Sequence, residues 1–246
     1  MEATGERFVP ELAGQIKYEH LHRYALSLEL AIGKSVLDIA SGEGYGAALL
    51  AEVAQTVVGV DIDSQAIEHA THKYSRHNLS FRVGNCAAIP LPDHSVDLVT
   101  SFETIEHHGQ HDEMMVEIKR VLRPGGVLII SSPNRLTYSD EPQYANPYHV
   151  KELYYDDLHE LLSRYFKHLY FYGQRLATAS FIFPLEDTGA NCYLAYTGDP
   201  LSINRKVCSL PSPIYFVVIC SDSPLAELQA VSSVYLDGND DLMRGS

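Results

Sequence analysis

The sequence predicts an α/β protein with a mostly parallel sheet and helices on both of its faces. Three observations lead to this class. Residues 35–39 form a short apolar run of the kind found in buried parallel strands. A glycine-rich turn at residues 42–46 follows and opens into an apolar helical stretch. A second apolar run, residues 56–60, then ends in Asp61. Strands that alternate with helices in this way are typical of βαβ units.

Composition sets the broad class. The chain has 246 residues, of which 46% are hydrophobic and 20% charged, so it can bury a full core and is not of a disordered type. Its 18 Lys and Arg face 32 Asp and Glu, a formal charge of -14. Nucleic-acid binders usually carry a basic stripe that neutralises phosphates, so a nucleic-acid partner is disfavoured.

Cysteine usage and hydropathy predict the compartment. The four cysteines are widely spaced, which favours reduced thiols over a disulfide framework; they are Cys86, Cys192, Cys208 and Cys220. The chain shows no charged-then-apolar leader and no apolar run approaching 18 residues. We therefore expect a soluble cytoplasmic protein without a membrane span.

Residues 1–34 are predicted to form an N-terminal helical unit. Leu12 to Ile32 has a mostly helical pattern, and the segment from Tyr18 to Tyr24 is dense in aromatic and hydrogen-bonding groups. Two interpretations stay open. The cluster contacts a cofactor or an acceptor, or it is a helix face whose His and Arg side chains reach water.

The glycine-rich turn predicts a cofactor site. Glycines at 42, 44 and 46 let the backbone turn sharply and approach a ligand. Asp61 stands nineteen positions after Gly42, where an acid can take ribose hydroxyls. This spacing loosely fits an NAD(P)-dependent oxidoreductase. Asp38 argues against that class, because a carboxylate inside the motif suits a ligand with an ammonium group better.

The stretch from Asp38 to Gly46 resembles motif I of the class I S-adenosylmethionine methyltransferases, Asp-x-Gly-x-Gly-x-Gly, with Ala40 in place of the first glycine. Residues 84–99 and 117–130 look like later motifs of the same family, of the Methyltransferase-11 type. The resemblance covers residues 35 to 135. It implies a Rossmann-like, seven-stranded sheet of order 3-2-1-4-5-7-6, with the seventh strand antiparallel. In similar methyltransferases an N-terminal helix closes over the cofactor, so the resemblance also implies that residues 1–34 form a helical lid.

The resemblance also implies S-adenosylmethionine as the cofactor and a set of residues that contact it. They are Asp38, Ala40, Gly42, Gly44, Asp61, Ile62, Asn85, Cys86 and Phe102. Asn85 stands where the family usually has an aspartate beside the adenine amine. Its amide oxygen can still accept that hydrogen bond.

The remaining elements follow in order along the chain. They are a helix capped by Ser64, strands at 79–83 and 97–102, a helix and strand five within 117–130, a helix at 151–164, and strands at 168–173 and 213–220. The long stretch before the last strand predicts an insertion at about 177–212 within a domain spanning 35–223. Residues 224–246 are predicted to form a helix and a polar tail.

The segment after strand four, Glu103 to His108, carries the most chemistry. Functional groups collect at the carboxyl ends of strands in an open α/β sheet, so this segment should face the cofactor crevice. If it makes a helical turn, Glu103, Glu106 and His107 project from one face. Such a group is a cation site or an acid–base cluster. His108 and His111 are predicted to begin the next helix and to face solvent. His69, His72 and His77 are predicted to be solvated helix and loop residues.

The pattern Glu-x-x-Glu-His resembles the metal-binding segment of the small-RNA 3′-terminal 2′-O-methyltransferases, and is similar to a segment of ubiquinone-pathway O-methyltransferases. The resemblance implies Mg²⁺ or Mn²⁺ held by Glu103, Glu106, His107 and the later His149. A cation could bind a vicinal diol and activate one hydroxyl. Two alternatives stay open: His107 and Glu106 act without metal, with His107 as the base, or the segment is structural.

The acceptor is predicted from a further resemblance. Residues 4–8, 19–24 and 101–107 resemble methyltransferases encoded in bacterial surface-polysaccharide loci. This implies O-methylation of a sugar, as in O-antigen or capsule synthesis. A loop carrying Tyr138, Tyr144 and Tyr148 could form an acceptor wall. The alternative is a metal-free O- or N-methyltransferase of small molecules or natural products.

Overall fold

The computed structural model describes residues 14–177, 195–199, 202–206, 210, 212–225 and 232–237. The segment 4–8 and most of the predicted insertion lie outside these ranges. No helix within the described ranges combines the length and apolarity needed to span a membrane.

Helices and strands alternate through the first half of the chain. The helices are α1 Gln15–Ala31, α2 Tyr45–Leu50, α3 Ser64–Lys73, α4 His111–Val121 and α5 Tyr155–Ser163, with a 3₁₀ turn at Ile105–His107 and a π-helical turn at Leu136–Asp140. The strands are β1 Ser35–Ile39, β2 Thr56–Asp61, β3 Leu79–Val83, β4 Val96–Ser101, β5 Leu122–Pro133, β6 His168–Gln174, β7 Ala195–Asp199, β8 Ser202–Lys206 and β9 Tyr215–Ser221.

Seven strands form one sheet of order β3-β2-β1-β4-β5-β9-β6. β1 to β5 are parallel, and β9 lies antiparallel between β5 and β6. The predicted order is confirmed. The predicted seventh strand is β9 here, because the hairpin β7–β8 precedes it in the chain. Ile39 pairs with both Val60 and Ser101, so the carboxyl ends of β1, β2 and β4 meet at one edge.

The core lies on both faces of this sheet, because successive side chains of a strand point to opposite sides. Val36 packs in a cluster that includes Tyr24 of α1 and Leu50 of α2. Leu37 packs in the other cluster, with Met114 of α4 and Leu158 of α5. Helices therefore cover both faces, as the sequence predicted.

The structure differs from the prediction at the starts of two helices and near the C-terminus. The N-cap of α3 is Asp63 rather than Ser64, and its carboxylate accepts from the amides of Gln65 and Ala66. α5 begins at Tyr155, four residues later than predicted. Residues 232–237 have no regular structure and lie against α1, where the Tyr18 hydroxyl donates to Asp237 at 2.7 Å. The division into lid, domain and tail stays a prediction.

Candidate active site

The glycine-rich turn leaves β1 with a strongly curved backbone. Ala40, Gly42 and Gly44 have φ angles of 58°, 55° and 90°, in the left-handed region that favours glycine. A Cβ on Gly44 would lie 2.7 Å from the Phe81 ring, so this glycine is also needed for packing. The turn passes close to β3 while it joins β1 to α2.

Asp61 ties this turn to the end of β2. One carboxylate oxygen accepts from the amide of Gly42 at 2.8 Å, and the other accepts from the amide of Asp63 at 2.9 Å. The next residue, Ile62, is 70% exposed. A large apolar side chain held in water at the carboxyl edge of the sheet suits the flat face of a bound ring.

Asp38 lies at the centre of the motif and is only 1% exposed. Its carboxylate accepts from the Thr100 hydroxyl at 2.7 Å and from the Tyr24 hydroxyl of α1 at 3.1 Å. Burial raises the pKa of Asp38 to about 7, although both hydrogen bonds act to lower it. Asp38 thus connects the sheet with α1, and its predicted contact with a ligand ammonium stays a prediction.

The third glycine of the motif makes room for a side chain of α1. A Cβ on Gly46 would stand 1.9 Å from the Tyr24 ring, so only glycine lets that ring lie here. Tyr24 also meets Phe102 edge to face, with ring centroids 5.1 Å apart. Phe102, predicted to contact the cofactor, is therefore partly used in holding α1.

Two predicted cofactor contacts follow β3: Asn85, which was predicted beside the adenine, and Cys86. The side-chain oxygen of Asn85 accepts from the amide of Ala87 at 2.8 Å. The sulfur of Cys86 lies 3.4 Å from Nε2 of His108, and burial raises the pKa of this thiol. Both residues follow Val83, which pairs with Asp61 at the end of β2, and their predicted contact with the cofactor stays a prediction.

Two buried hydroxyls test whether a polar ligand fits the crevice. Ser41 follows β1 and Ser101 ends the neighbouring β4, and neither hydroxyl oxygen has a hydrogen-bond partner within the described parts of the chain. Buried polar groups are normally paired. Together with the glycine-rich turn and exposed Ile62, they fit a ligand that has both polar groups and an apolar ring.

Glu103 does not share a face with Glu106 and His107, which corrects the helical-turn prediction. It has a φ of 50° and precedes the 3₁₀ turn. Its carboxylate accepts from the Ser131 hydroxyl at 2.6 Å and lies 3.2 Å from the Arg23 guanidinium. The strained backbone at Glu103 turns this side chain towards β5 and α1.

Glu106 is 1% exposed, and its Oε2 has no hydrogen-bond partner among the described residues. Burial, reinforced by the neighbouring Glu103, raises its pKa well above the usual range. The backbone carbonyl of Glu106 accepts from the amides of Val150 and Lys151 at 2.8 and 3.0 Å. These two bonds bring the adjoining His149 to the end of β4.

His107 and His149 meet beside Glu106. Nδ1 of His107 lies 3.2 Å from the Tyr148 carbonyl, so a proton there leaves the lone pair on Nε2, 3.8 Å from the Glu106 carboxylate. Nδ1 of His149 lies 2.6 Å from Glu152. Ligand atoms of Glu106, His107 and His149 all lie within 4.8 Å of one another. Three of the four predicted metal ligands therefore converge.

Arg23 is a site residue whose environment sequence reasoning missed. It is 2% exposed, which corrects the idea that it reaches water. Its Nε donates to Gln174 at 2.7 Å, and its guanidinium lies 4.5 Å from the centre of the Tyr215 ring. These partners lie far along the chain, so no local pattern indicated them.

Glu43, inside the glycine-rich turn, was also missed. It is 1% exposed and accepts hydrogen bonds from Lys73 at 2.8 Å and Tyr74 at 2.9 Å, with His69 at 3.2 Å. The predicted solvent exposure of His69 is therefore only partly right. His111 corrects a similar prediction, because it is buried and bonds through Nε2 to the Ile105 and His108 carbonyls.

Aromatic rings line one side of the histidine pair. Tyr138 stacks on His149 with centroids 5.4 Å apart, and Tyr144 lies 5.9 Å from Tyr138. Tyr144 and Tyr148 are about half exposed. The loop thus presents flat faces to solvent next to the acid–histidine cluster.

The sheet order and the glycine-rich crevice define the class: this is the Rossmann-like fold of the class I methyltransferases. Solved structures agree on the fold. The YcgJ protein of Bacillus subtilis matches with a TM-score of 0.56 at 18% identity, over 83% of this chain and 100% of that one. A possible histamine N-methyltransferase of Thermotoga maritima matches with a TM-score of 0.58 at 16% identity, over 84% and 92%.

Sequence comparison is more specific. Residues 37–130 match the family described as a methyltransferase domain. Probable S-adenosylmethionine-dependent methyltransferases of Mycolicibacterium smegmatis and Mycobacterium tuberculosis are 43% and 40% identical over 164 residues, or 65% of this chain. The chain covers 62% and 58% of these relatives. The chain thus resembles S-adenosylmethionine-dependent methyltransferases over part of their length.

Proposed function

We propose that this protein is an S-adenosylmethionine-dependent O-methyltransferase whose acceptor hydroxyl lies at Glu106, His107 and His149. The convergence of these three side chains carries the proposal. They lie at the end of β4, the strand beside β1, and so at the same edge as the glycine-rich turn. Methyl transfer needs the two substrates side by side, which this arrangement supports.

The cofactor would lie over the turn between β1 and α2. The positive φ angles of Gly42 and Gly44 and the exposed side chain of Ile62 support this location, and we assign the ribose to Asp61. When bound, the cofactor supplies an electrophilic methyl group on a sulfonium. Its neutral product is S-adenosylhomocysteine, which is the natural probe for the site.

The residues of the chain handle the acceptor proton. As the acceptor oxygen is methylated it must lose its proton, and Nε2 of His107 would take that proton. The Tyr148 carbonyl holds the tautomer that makes Nε2 the acceptor. Glu106 lies 3.8 Å from Nε2, and its raised pKa favours the neutral carboxyl, which leaves His107 as the group that takes the proton.

In the metal-assisted alternative, Glu106, His107 and His149 would instead hold a divalent cation, and Nε2 of His107 would then be a ligand rather than the base. The carboxylate of Glu152 at 2.6 Å from His149 resembles the outer partner that orients metal-bound histidines. A bound cation would lower the pKa of a coordinated diol. Two imidazoles with one carboxylate suit Mn²⁺ better than Mg²⁺, which prefers oxygen ligands. Glu103 is not needed, since its carboxylate is engaged by Ser131 and Arg23.

We propose a sugar hydroxyl in surface-polysaccharide biosynthesis as the acceptor. The exposed rings of Tyr144 and Tyr148 support it, since tyrosine combines a stacking face with a hydroxyl. The second candidate is metal-free methylation of a lipid or other small molecule, with His107 as the base. It is favoured by a relative named fatty-acid O-methyltransferase from Mycolicibacterium smegmatis, 31% identical over 120 residues, and by exposed Leu136 and Val150.

Titration calorimetry with Mn²⁺ tests the cation site directly. Protein saturated with S-adenosylhomocysteine is titrated as wild type, as Glu106→Gln and as Glu113→Gln, a matched change of an exposed carboxylate on α4. We expect one site per chain in the wild type and in Glu113→Gln, and its loss in Glu106→Gln. A wild type that binds no Mn²⁺ would reject the cation and leave His107 as a metal-free base.

A further inference from the structure

The side chain of Glu43 links the glycine-rich turn to a helix that carries no predicted site residue. Its carboxylate reaches Lys73 in the last turn of α3, Tyr74 just beyond it, and His69 one turn earlier. Glu43 is 1% exposed, whereas the side chains of Lys73 and His69 are about one-third exposed. The carboxylate is therefore buried under its own partners.

The position of Glu43 in the chain gives this cluster its importance. It stands between Gly42 and Gly44, which both have positive φ angles. Glycines gain much backbone freedom when unrestrained, so a turn rich in them needs external contacts to hold one shape. Asp61 provides one contact, through the Gly42 amide on the β2 side. Glu43 provides the contact on the opposite side, from α3.

We propose that Glu43 is a positioning residue for the cofactor: it holds the glycine-rich turn in its binding shape through Lys73, Tyr74 and His69. The inference rests on the proposed function, since it assumes that the turn receives S-adenosylmethionine. The carboxylate of Glu43 is buried against Lys73, Tyr74 and His69, so it acts through the turn and not on a reacting atom. Its effect is to lower the ordering cost of binding, which is how a preorganised loop increases affinity.

The proposal predicts different effects on cofactor affinity and on the acceptor kinetics. Loosening the turn should weaken binding of the cofactor and of S-adenosylhomocysteine. The acceptor KM and the rate at saturating cofactor depend on residues at the end of β4, so they should change little. A purely structural role for the cluster would instead lower thermal stability without a selective change in cofactor affinity.

The experiment measures binding of S-adenosylhomocysteine by titration calorimetry, with a melting temperature for every variant. The variants are Glu43→Gln, Lys73→Met and their double mutant. The matched control is Glu52→Gln, because Glu52, just after α2, pairs with Arg76, just after α3, at 2.9 Å but is exposed. Exposed ion pairs of this kind contribute little to the stability of the fold.

We expect Glu43→Gln and Lys73→Met each to weaken binding on the order of ten-fold, as loss of a charge-assisted hydrogen bond implies. The double mutant should be little weaker than either single change, because both break the same cluster. Glu52→Gln should bind within about two-fold of wild type.

Equal affinity of Glu43→Gln and wild type would overturn the inference while leaving the proposed function intact. The inference would also be overturned if Lys73→Met, which keeps the buried carboxylate, had a lower melting temperature but an unchanged affinity for S-adenosylhomocysteine. A wild-type protein that does not bind S-adenosylhomocysteine would instead overturn the proposed function and the inference together.

Discussion

The two halves of the crevice treat their buried carboxylates differently. On the cofactor side, Asp38, Asp61 and Glu43 each accept two or three hydrogen bonds from the protein. On the acceptor side, Glu106 is equally buried, yet one of its oxygens has no hydrogen-bond partner in the described chain. The first set builds the shape of the site, whereas the unsatisfied group marks where a ligand or a proton belongs.

This difference has an energetic meaning. A buried polar atom without a partner costs about 1–3 kcal/mol. A fold can remove that cost by placing an apolar residue there, so a site that keeps the cost points to function. The comparison is tested by changing one residue on each side and asking whether activity or stability responds.

The largest effect is expected on the acceptor side. His107→Ala removes the proposed base and should lower kcat about 10³-fold, within the range found for general bases. Binding of S-adenosylhomocysteine should be unchanged, since His107 lies away from the glycine-rich turn. The measurement combines steady-state kinetics with calorimetry, and His77→Ala, an exposed histidine, is the control. Activity within about three-fold of wild type would remove His107 from the mechanism.

The next effect concerns Asp38 and pH. Its pKa is raised from 3.8 to about 7 in the folded protein, so the fold favours the neutral carboxyl. The stabilisation this brings is complete below pH 3.8 and is lost as pH rises through about 7. Relative to Asp38→Asn, wild type should therefore lose roughly 3 kcal/mol of unfolding free energy between about pH 4.5 and 8. Urea unfolding at both pH values measures this, and a constant difference would contradict it.

The smallest effect is expected at Gly46. Adding a methyl group there forces Tyr24 away, which breaks its hydrogen bond to Asp38. Overpacking of this kind costs about 1–3 kcal/mol, so Gly46→Ala should lower the unfolding free energy by about 2 kcal/mol. Gly109→Ala, where no atom lies within 4 Å of the new methyl group, is the control. A Gly46→Ala variant as stable as this control would show that α1 is not packed through Tyr24.

The cofactor side was largely predictable because its residues are close in sequence. Asp38 to Gly46 and the strand ending in Asp61 carry local patterns, and the resemblance they support gave the strand order. Helix ends were less predictable. Asp63 and Ser64 are both residue types that cap helices well. The cap is Asp63 because its backbone is extended and the helical backbone begins at Ser64, which the sequence does not indicate.

The acceptor side was harder to predict because its contacts are long-range. The resemblance indicated His149, but its approach to Glu106 depends on backbone bonds from Val150 and Lys151. Arg23 and Gln174 are 151 positions apart. Glu103 does not lie with the other three predicted metal ligands, because its φ angle is positive. No sequence pattern predicts a positive φ for a glutamate.

The place of β9 also has a consequence for how the chain is made. β6 lies at the edge of the sheet and pairs there only with β9, which is synthesised some forty residues later. During translation, β6 has therefore been made while the strand that joins it to β5 is still missing. Two strand edges then stay exposed together, and unpaired edges favour association with other chains. At roughly 5–20 residues per second, a ribosome leaves this gap open for a few seconds.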